Sequence, residues 1–174
     1  MTSTKSKTAL TFINRRVDLQ KQKLEQALDR FNQRDKALLS RVADAVNRQN
    51  VDRFNVFSNE LNEIRKMTKQ LLTAKIALQE AHDSIQKQID AKTLDNGDLV
   101  VAAQLLTFSK TRLISNFPEA EYEIGEVYNI LSGIIVDLIT EHVDRKGSIT
   151  EMYNRVELEA EQQMKEKTAI PEYS

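Results

Sequence analysis

The chain has 174 residues, no Cys and no Trp, 4 Gly and 2 Pro, 29% charged and 40% hydrophobic residues, and a formal net charge of -1. Gly plus Pro is about a quarter of the ~12% of average usage, which argues against a turn-rich sandwich or barrel, and the lack of Cys excludes disulfides, a thiolate zinc site and a cysteine nucleophile. The near-zero charge is an average: residues 1–92 carry 18 Lys and Arg against 11 Asp and Glu, whereas residues 93–174 carry 7 against 15, so the first half suits an anionic partner.

Residues 1–9 are small and polar and read as a flexible segment. From Leu10 to about Asn47, Leu10, Ile13, Val17, Leu24, Leu28, Phe31, Leu38, Val42 and Val46 recur at helical spacing with no Gly or Pro between, which predicts one long amphipathic helix. Turn chemistry follows in Asn47-Arg48-Gln49-Asn50-Val51-Asp52, with an Asn or Asp as N-cap. A second rod then runs from Arg53 to about Lys92, with Phe54, Phe57, Leu61, Ile64, Leu71, Leu78, Ile85 and Ile89 in heptad rhythm. A short connection between two rods predicts an antiparallel hairpin over residues 10–92, packed through Val17, Leu24, Leu28, Phe31, Phe57, Leu61, Ile64, Leu71 and Leu78.

Thr93-Leu94-Asp95-Asn96-Gly97-Asp98 breaks the pattern, with Gly97 read as a left-handed cap and Asp98 as the next N-cap. A short apolar helix is expected from Leu99 to about Ser115, and a fourth from Pro118 to about Lys146, closed by Gly147. The run Gly133 to Ile139 could pass for a buried strand, but no second strand exists to pair with it. Ser148-Ile149-Thr150-Glu151 has the capping-box pattern for an acidic fifth helix to about Lys167. The organisation is therefore the hairpin, helices 3 and 4 over residues 93–147, and the fifth helix with a tail over 148–174. The fold class is all-α, a long antiparallel helical hairpin plus three shorter helices. The longest apolar run, Leu99 to Ala103, is far shorter than the ~20 residues of a spanning helix, and the start has no signal-peptide pattern. A cytoplasmic protein that meets a membrane from one side is expected.

An active site is not visible. His82 and His142 lack the Glu-x-x-His spacing of di-iron bundles, and there is no phosphate loop, HExxH or nucleophile elbow. His82 shares the heptad stripe with Thr68 and Lys75 and reads as a polar residue at the seam. No catalytic residue, metal or cofactor is expected, and the chain reads as a non-enzyme.

The first helix carries a more specific pattern. Arg16, Lys23, Arg30, Arg34, Arg41 and Arg48 form a stripe about 120° from the apolar one, at spacings of 7, 7, 4, 7 and 7 and with no Asp or Glu inside it. Arg predominates, and its planar guanidinium suits phosphate groups. Such an edge, some 48 Å long, fits anionic lipid or nucleic acid; alternatively it is a solvated face of a protein-only coiled-coil scaffold. At about 1 kcal/mol per cation near an anionic leaflet the six give at most ~6 kcal/mol, so useful residence calls for an array. Lys5, Lys7, Leu10, Phe12 and Ile13 read as a weak N-terminal membrane anchor.

The run Arg34-Asp35-Lys36-Ala37-Leu38-Leu39, the stretch ELNEIRKMTKQLLTAKIALQ from Glu60 to Gln79, and the junction Asn116-Phe117-Pro118-Glu119-Ala120 resemble the ESCRT-III proteins, in particular the archaeal cell-division (Cdv) members, over about residues 10–145. The resemblance implies a basic hairpin, a shorter third helix, and acidic later helices that fold back or extend. It also implies homopolymers and co-polymers with paralogous ESCRT-III subunits on an anionic membrane at the division site, where they constrict and cut membrane necks, and disassembly by an AAA-type ATPase. Members that engage the ATPase often carry a proline-rich or winged-helix extension; here Ala169 to Ser174 follow the fifth helix, and Ala160 and Met164 stand where the helical ATPase-binding motif has leucines. ATPase contact through co-polymerised subunits is the expectation. An acidic half that masks the basic edge is a further expectation from the charge split.

Overall fold

A computed structural model describes residues 2–114, 116–138 and 146–173. The described residues form five helices and no strand: α1 (Thr2–Asn47), α2 (Val51–Asp90), α3 (Asn96–Leu113), α4 (Pro118–Leu138) and α5 (Lys146–Lys165). The part of the Gly133 to Ile139 run that is described is helical, within α4. Ser115, Ile139 and His142 lie outside the described residues.

The first helix starts at Thr2, ahead of the periodicity that predicted it. No Gly or Pro interrupts residues 2–9, and the Lys7 ammonium donates to the Ala91 carbonyl at the far end of α2, which ties this first stretch to the hairpin. The turn between the rods is a Schellman arrangement: the Gln49 amide donates to the Val46 carbonyl at 3.1 Å and the Asn50 amide to the Ala45 carbonyl at 2.9 Å. Gln49 takes the left-handed position, φ 56°, and Asn50 is the N-cap of α2, its side chain accepting from the Arg53 amide.

The second turn departs from expectation. Asp95, not Asp98, caps α3, accepting from the Gly97 amide at 2.8 Å, and Gly97 is buried inside the first helical turn with no positive φ. Buried Gln88 organises the corner, accepting from the Asp95 amide and donating to Asp98, both at 2.7 Å. Lys146, Gly147 and Ser148 lie within α5, where Gly147 was expected to close the fourth helix and Ser148 to open the fifth.

One large core joins α1, α2, α3, α4 and α5, and a smaller cluster of Leu38, Val42, Leu61 and Ile64 fills the hairpin tip. Each fully buried Leu or Ile contributes about 2 kcal/mol of apolar transfer. The apolar α3 lies on α2, where small residues let the backbones approach: the hydroxyl of buried Ser109 donates to the Ala74 carbonyl at 3.1 Å. Beside α3 packs α4, which also touches α1, and just before α4 the Phe117 ring meets Phe31 edge-on. Docking of α5 onto α2 and α3 buries Val156 and Ala160, stacks Tyr153 on Phe108 at 4.5 Å, and pairs Glu157 with Arg112 and Glu161 with Lys69. Ala160 is fully buried in this core. Beyond α5 the tail runs toward the hairpin tip, placing Ile170 on the small cluster and the Tyr173 ring 5.2 Å from Phe54.

Candidate functional site

Of the residues read as hairpin packing, Val17, Leu24, Leu28, Leu61, Ile64, Leu71 and Leu78 are buried, and Phe31 and Phe57 are half-buried against the two clusters. The apolar stripe therefore faces inward, and helical geometry turns the basic stripe to the flank of α1.

The six cations of that flank have different surroundings. Arg16 pairs with Glu123 of α4 at 2.9 Å and lies over the Phe12 ring. Arg34 pairs with Glu60 of α2, Arg48 with Asp44 at 3.1 Å, and Arg41 stacks over Phe57 with its guanidinium carbon 5.6 Å from the ring centroid. Exposed Lys23 and Arg30 have no ion-pair partner among the described residues. A salt bridge at an exposed site is worth ~1 kcal/mol or less, so the pairs of Arg34 and Arg48 do not remove these side chains from a competing anionic surface.

The anchor residues are divided by the fold. Leu10 and Ile13 are fully buried in the large core, Lys7 is tied to Ala91, and Lys5 and Phe12 are exposed. Leu10 and Ile13 thus pack α1 on α2 in this conformation. Sequence reasoning missed Leu19, 48% exposed. At 100° per residue, Phe12 and Leu19 both fall within about 40° of the centre of the basic stripe, so the N-terminal part of the edge interleaves apolar side chains with Lys5, Arg16 and Lys23. The signal was available in the heptad spacing from Phe12 to Leu19.

Among the described residues, the acidic half meets this edge at Arg16 alone. Among the described residues, its carboxylates pair from Glu157 to Arg112 of α3, from Glu161 to Lys69 of α2 and from Asp98 to Lys87 of α2, with Glu123 reaching Arg16. The expected masking is confined to one cation, because α5 docks on α2 and α3 rather than on the basic flank of α1.

Buried charge lies on the inner face instead. Asp35 occupies a position on the apolar stripe of α1 and accepts from Arg65 of α2 through both oxygens, at 2.8 and 3.1 Å; Lys167 of the tail lies 3.7 Å away. This bidentate pair pins the register of the hairpin. The sequence held its trace as a lone acid between Phe31 and Leu38, on an otherwise apolar face. Half-buried His82 lies at the hairpin seam, where its backbone carbonyl accepts from Asn14. Among the described residues, no group of three or more His, Asp or Glu side chains is placed to hold a metal ion, and no helix is long and apolar enough to cross a membrane.

Over 115 residues the chain is 31% identical to cell division protein B1 of Sulfolobus acidocaldarius, a match that takes in 66% of this chain and 53% of the relative. The match is in keeping with the resemblance to the archaeal ESCRT-III-like cell-division (Cdv) proteins. It spans about half the length of the curated relative it matches. No family model matches the chain, and no solved structure matches it. The basic flank of α1 is the principal candidate surface: a linear, acid-free row of cations, with Phe12 and Leu19 exposed among them.

Proposed function

We propose that this ESCRT-III-like chain is a non-enzymatic, filament-forming subunit that polymerises on anionic membrane and remodels or cuts membrane necks in cell division. The observation that carries the reading is the basic edge of α1, in which Lys23 and Arg30 have no ionic partner among the described residues and Phe12 and Leu19 stand exposed beside the cations. The name of the curated relative supports the cell-division role. Cations neutralise lipid phosphates and carboxylates, while a Phe and a Leu at the same level enter the acyl boundary. One subunit binds weakly, and an array multiplies that affinity. The partners are further copies of the chain, paralogous subunits, an anionic leaflet, and an AAA-type ATPase reached through co-polymerised subunits. The site of action is the cytoplasmic face of the membrane at the division site.

Nucleic acid is the competing ligand for a row of arginines. Aliphatic Leu19 on the edge favours lipid, since single strands are held by aromatic stacking along a basic groove. Electron microscopy of the protein with and without anionic vesicles, with DNA as competitor, tests the reading: membrane-bound filaments that DNA does not displace are expected. A strictly monomeric protein indifferent to anionic vesicles would sink it.

A further inference from the structure

Just ahead of α4 the Phe117 ring meets Phe31, and within α4 Glu123 pairs with Arg16. The fourth helix therefore runs antiparallel to α1, starting level with Phe31 and leading away from the hairpin tip. Arg34, Arg41 and Arg48 lie on the tip side of that start, and all three are exposed. Their surroundings come from the hairpin itself, namely Glu60, the Phe57 ring and Asp44. These are exposed contacts that a further anion can share.

Every charged residue of α4 is acidic. Glu123 is taken by Arg16, while Glu119, Glu126 and Asp137 have no ion-pair partner among the described residues. At 100° per residue these three fall within about 20° of one line along the helix, and that line is about 100° or more from Gly125, over which the Lys110 side chain lies. Their spacings of 7 and 11 are those of Arg48, Arg41 and Arg30 read in the opposite direction. One molecule thus carries an acidic row and a cationic row of matching spacing that do not pair within it. We infer that α4 of a second copy lies antiparallel along the tip half of the basic edge, with Glu119 level with Arg48, Glu126 with Arg41 and Asp137 with Arg30. In this register Gly133 comes level with Arg34, and its lack of a side chain leaves the Arg34–Glu60 pair in place; a Cβ built on Gly133 meets nothing of its own subunit within 4 Å.

The two surfaces differ, so the contact is heterologous and passes from copy to copy. Because α4 is antiparallel both to its own α1 and to the neighbour's, the two rods run parallel. Within a subunit Glu123 is level with Arg16; in the contact it comes level with Asp44, 28 residues further along, a step of about 42 Å. Repeating that step lengthens a filament. Exposed ion pairs are weak one at a time, so the contact is effective only in an array and loosens as salt rises. Phe12, Arg16, Leu19 and Lys23 are left to the leaflet. The inference rests on the filament reading above and gives that filament its contact between subunits.

Exchanging the charges between copies tests the contact. One variant carries Glu119→Arg and Glu126→Arg, the other Arg41→Glu and Arg48→Glu, and thermal unfolding of each should stay close to that of the wild type. Alone on anionic vesicles, each should form at least tenfold less filament by electron microscopy and sedimentation. An equimolar mixture should recover at least half of the wild-type yield, since each variant then meets its opposite charge in the other. The absence of Cys adds a readout of register: Glu126→Cys and Arg41→Cys should each stay monomeric under mild oxidation and cross-link when mixed, whereas Glu126→Cys with Arg48→Cys should not. Wild-type yield from either charge variant alone, or a mixture no better than its components, overturns the inference and leaves the filament reading standing. A defect confined to the Arg41→Glu, Arg48→Glu variant and not rescued by mixing assigns those arginines to lipid alone and also overturns it. A wild-type protein that stays monomeric on vesicles ends both.

Discussion

Arg16 and Glu123 face each other at 2.9 Å across the α1–α4 junction, and among the described residues theirs is the one ion pair between the basic edge and the acidic half of the chain. Masking of the edge is therefore worth one cation. Glu123→Gln is expected to raise affinity for anionic vesicles by up to about fivefold, the equivalent of ~1 kcal/mol for one added cation at the leaflet. Removing residues 119–174 is expected to add no electrostatic gain beyond that. Vesicle co-sedimentation at low salt measures both, and a far larger gain on truncation would show that the later helices restrain binding by another route.

Lys23 and Arg30 have no ion-pair partner among the described residues, so reversing their charge separates binding from folding. The double substitution Lys23→Glu, Arg30→Glu is expected to weaken vesicle binding more than tenfold and to shift stability by less than about 0.5 kcal/mol each, as exposed substitutions do. The loss should shrink as salt is raised, because the edge is solvent-screened. Co-sedimentation across a salt series beside thermal unfolding checks the pair of outcomes.

Breaking the buried Asp35–Arg65 pair should have the opposite profile. Asp35→Ala leaves Arg65 with Lys167 in a half-dry site and is expected to cost roughly 3 kcal/mol, whereas Asp35→Leu with Arg65→Met is expected to recover most of that loss. Urea unfolding midpoints of the single and double variants give the comparison. A double variant no more stable than Asp35→Ala would mean that the pair does more than fix register.

Gln49 holds φ 56° at the hairpin turn without the freedom of glycine. Gln49→Gly should stabilise the protein by about 0.5–1 kcal/mol, since the left-handed penalty of a side chain exceeds the entropy that Gly loses. A raised melting temperature with unchanged helical content is the expected reading.

Tyr153 stacks on Phe108 and donates its hydroxyl to the Gln104 carbonyl at 2.9 Å, and burial raises its pKa above the usual 10.0. The neutral phenol is the form favoured by the fold, so its contribution is complete below the unfolded pKa and is lost as pH rises through the higher folded value. Docking of α5 should therefore loosen in that alkaline window, and Tyr153→Phe should remove this component of the pH dependence. Protease sensitivity near α5 against pH, in both proteins, provides the measurement.

Much of the fold was legible because its signals are local. Uninterrupted three-four periodicity marks both rods, and the turn at Gln49 and Asn50 falls where polar side chains cluster. Caps were less legible, since several residues compete for each: Asp95 and Asp98 are both good N-caps, and the choice follows from Gln88 holding the Asp95 amide. The small polar residues before Leu10 look unstructured in isolation, whereas an α2 of matching length gives Leu10 and Ile13 a surface to cover.

By itself the sequence determined a helical protein with two long rods, three shorter helices and an acid-free row of cations, since each depends on spacing along one helix. Only the tertiary structure decided which cations stand free, that Phe12 and Leu19 share their edge, that Asp35 lies buried against Arg65, and that the acidic half docks elsewhere. Those outcomes depend on how the later helices cross the hairpin, and crossing is set by side chains far apart in the chain meeting in one core.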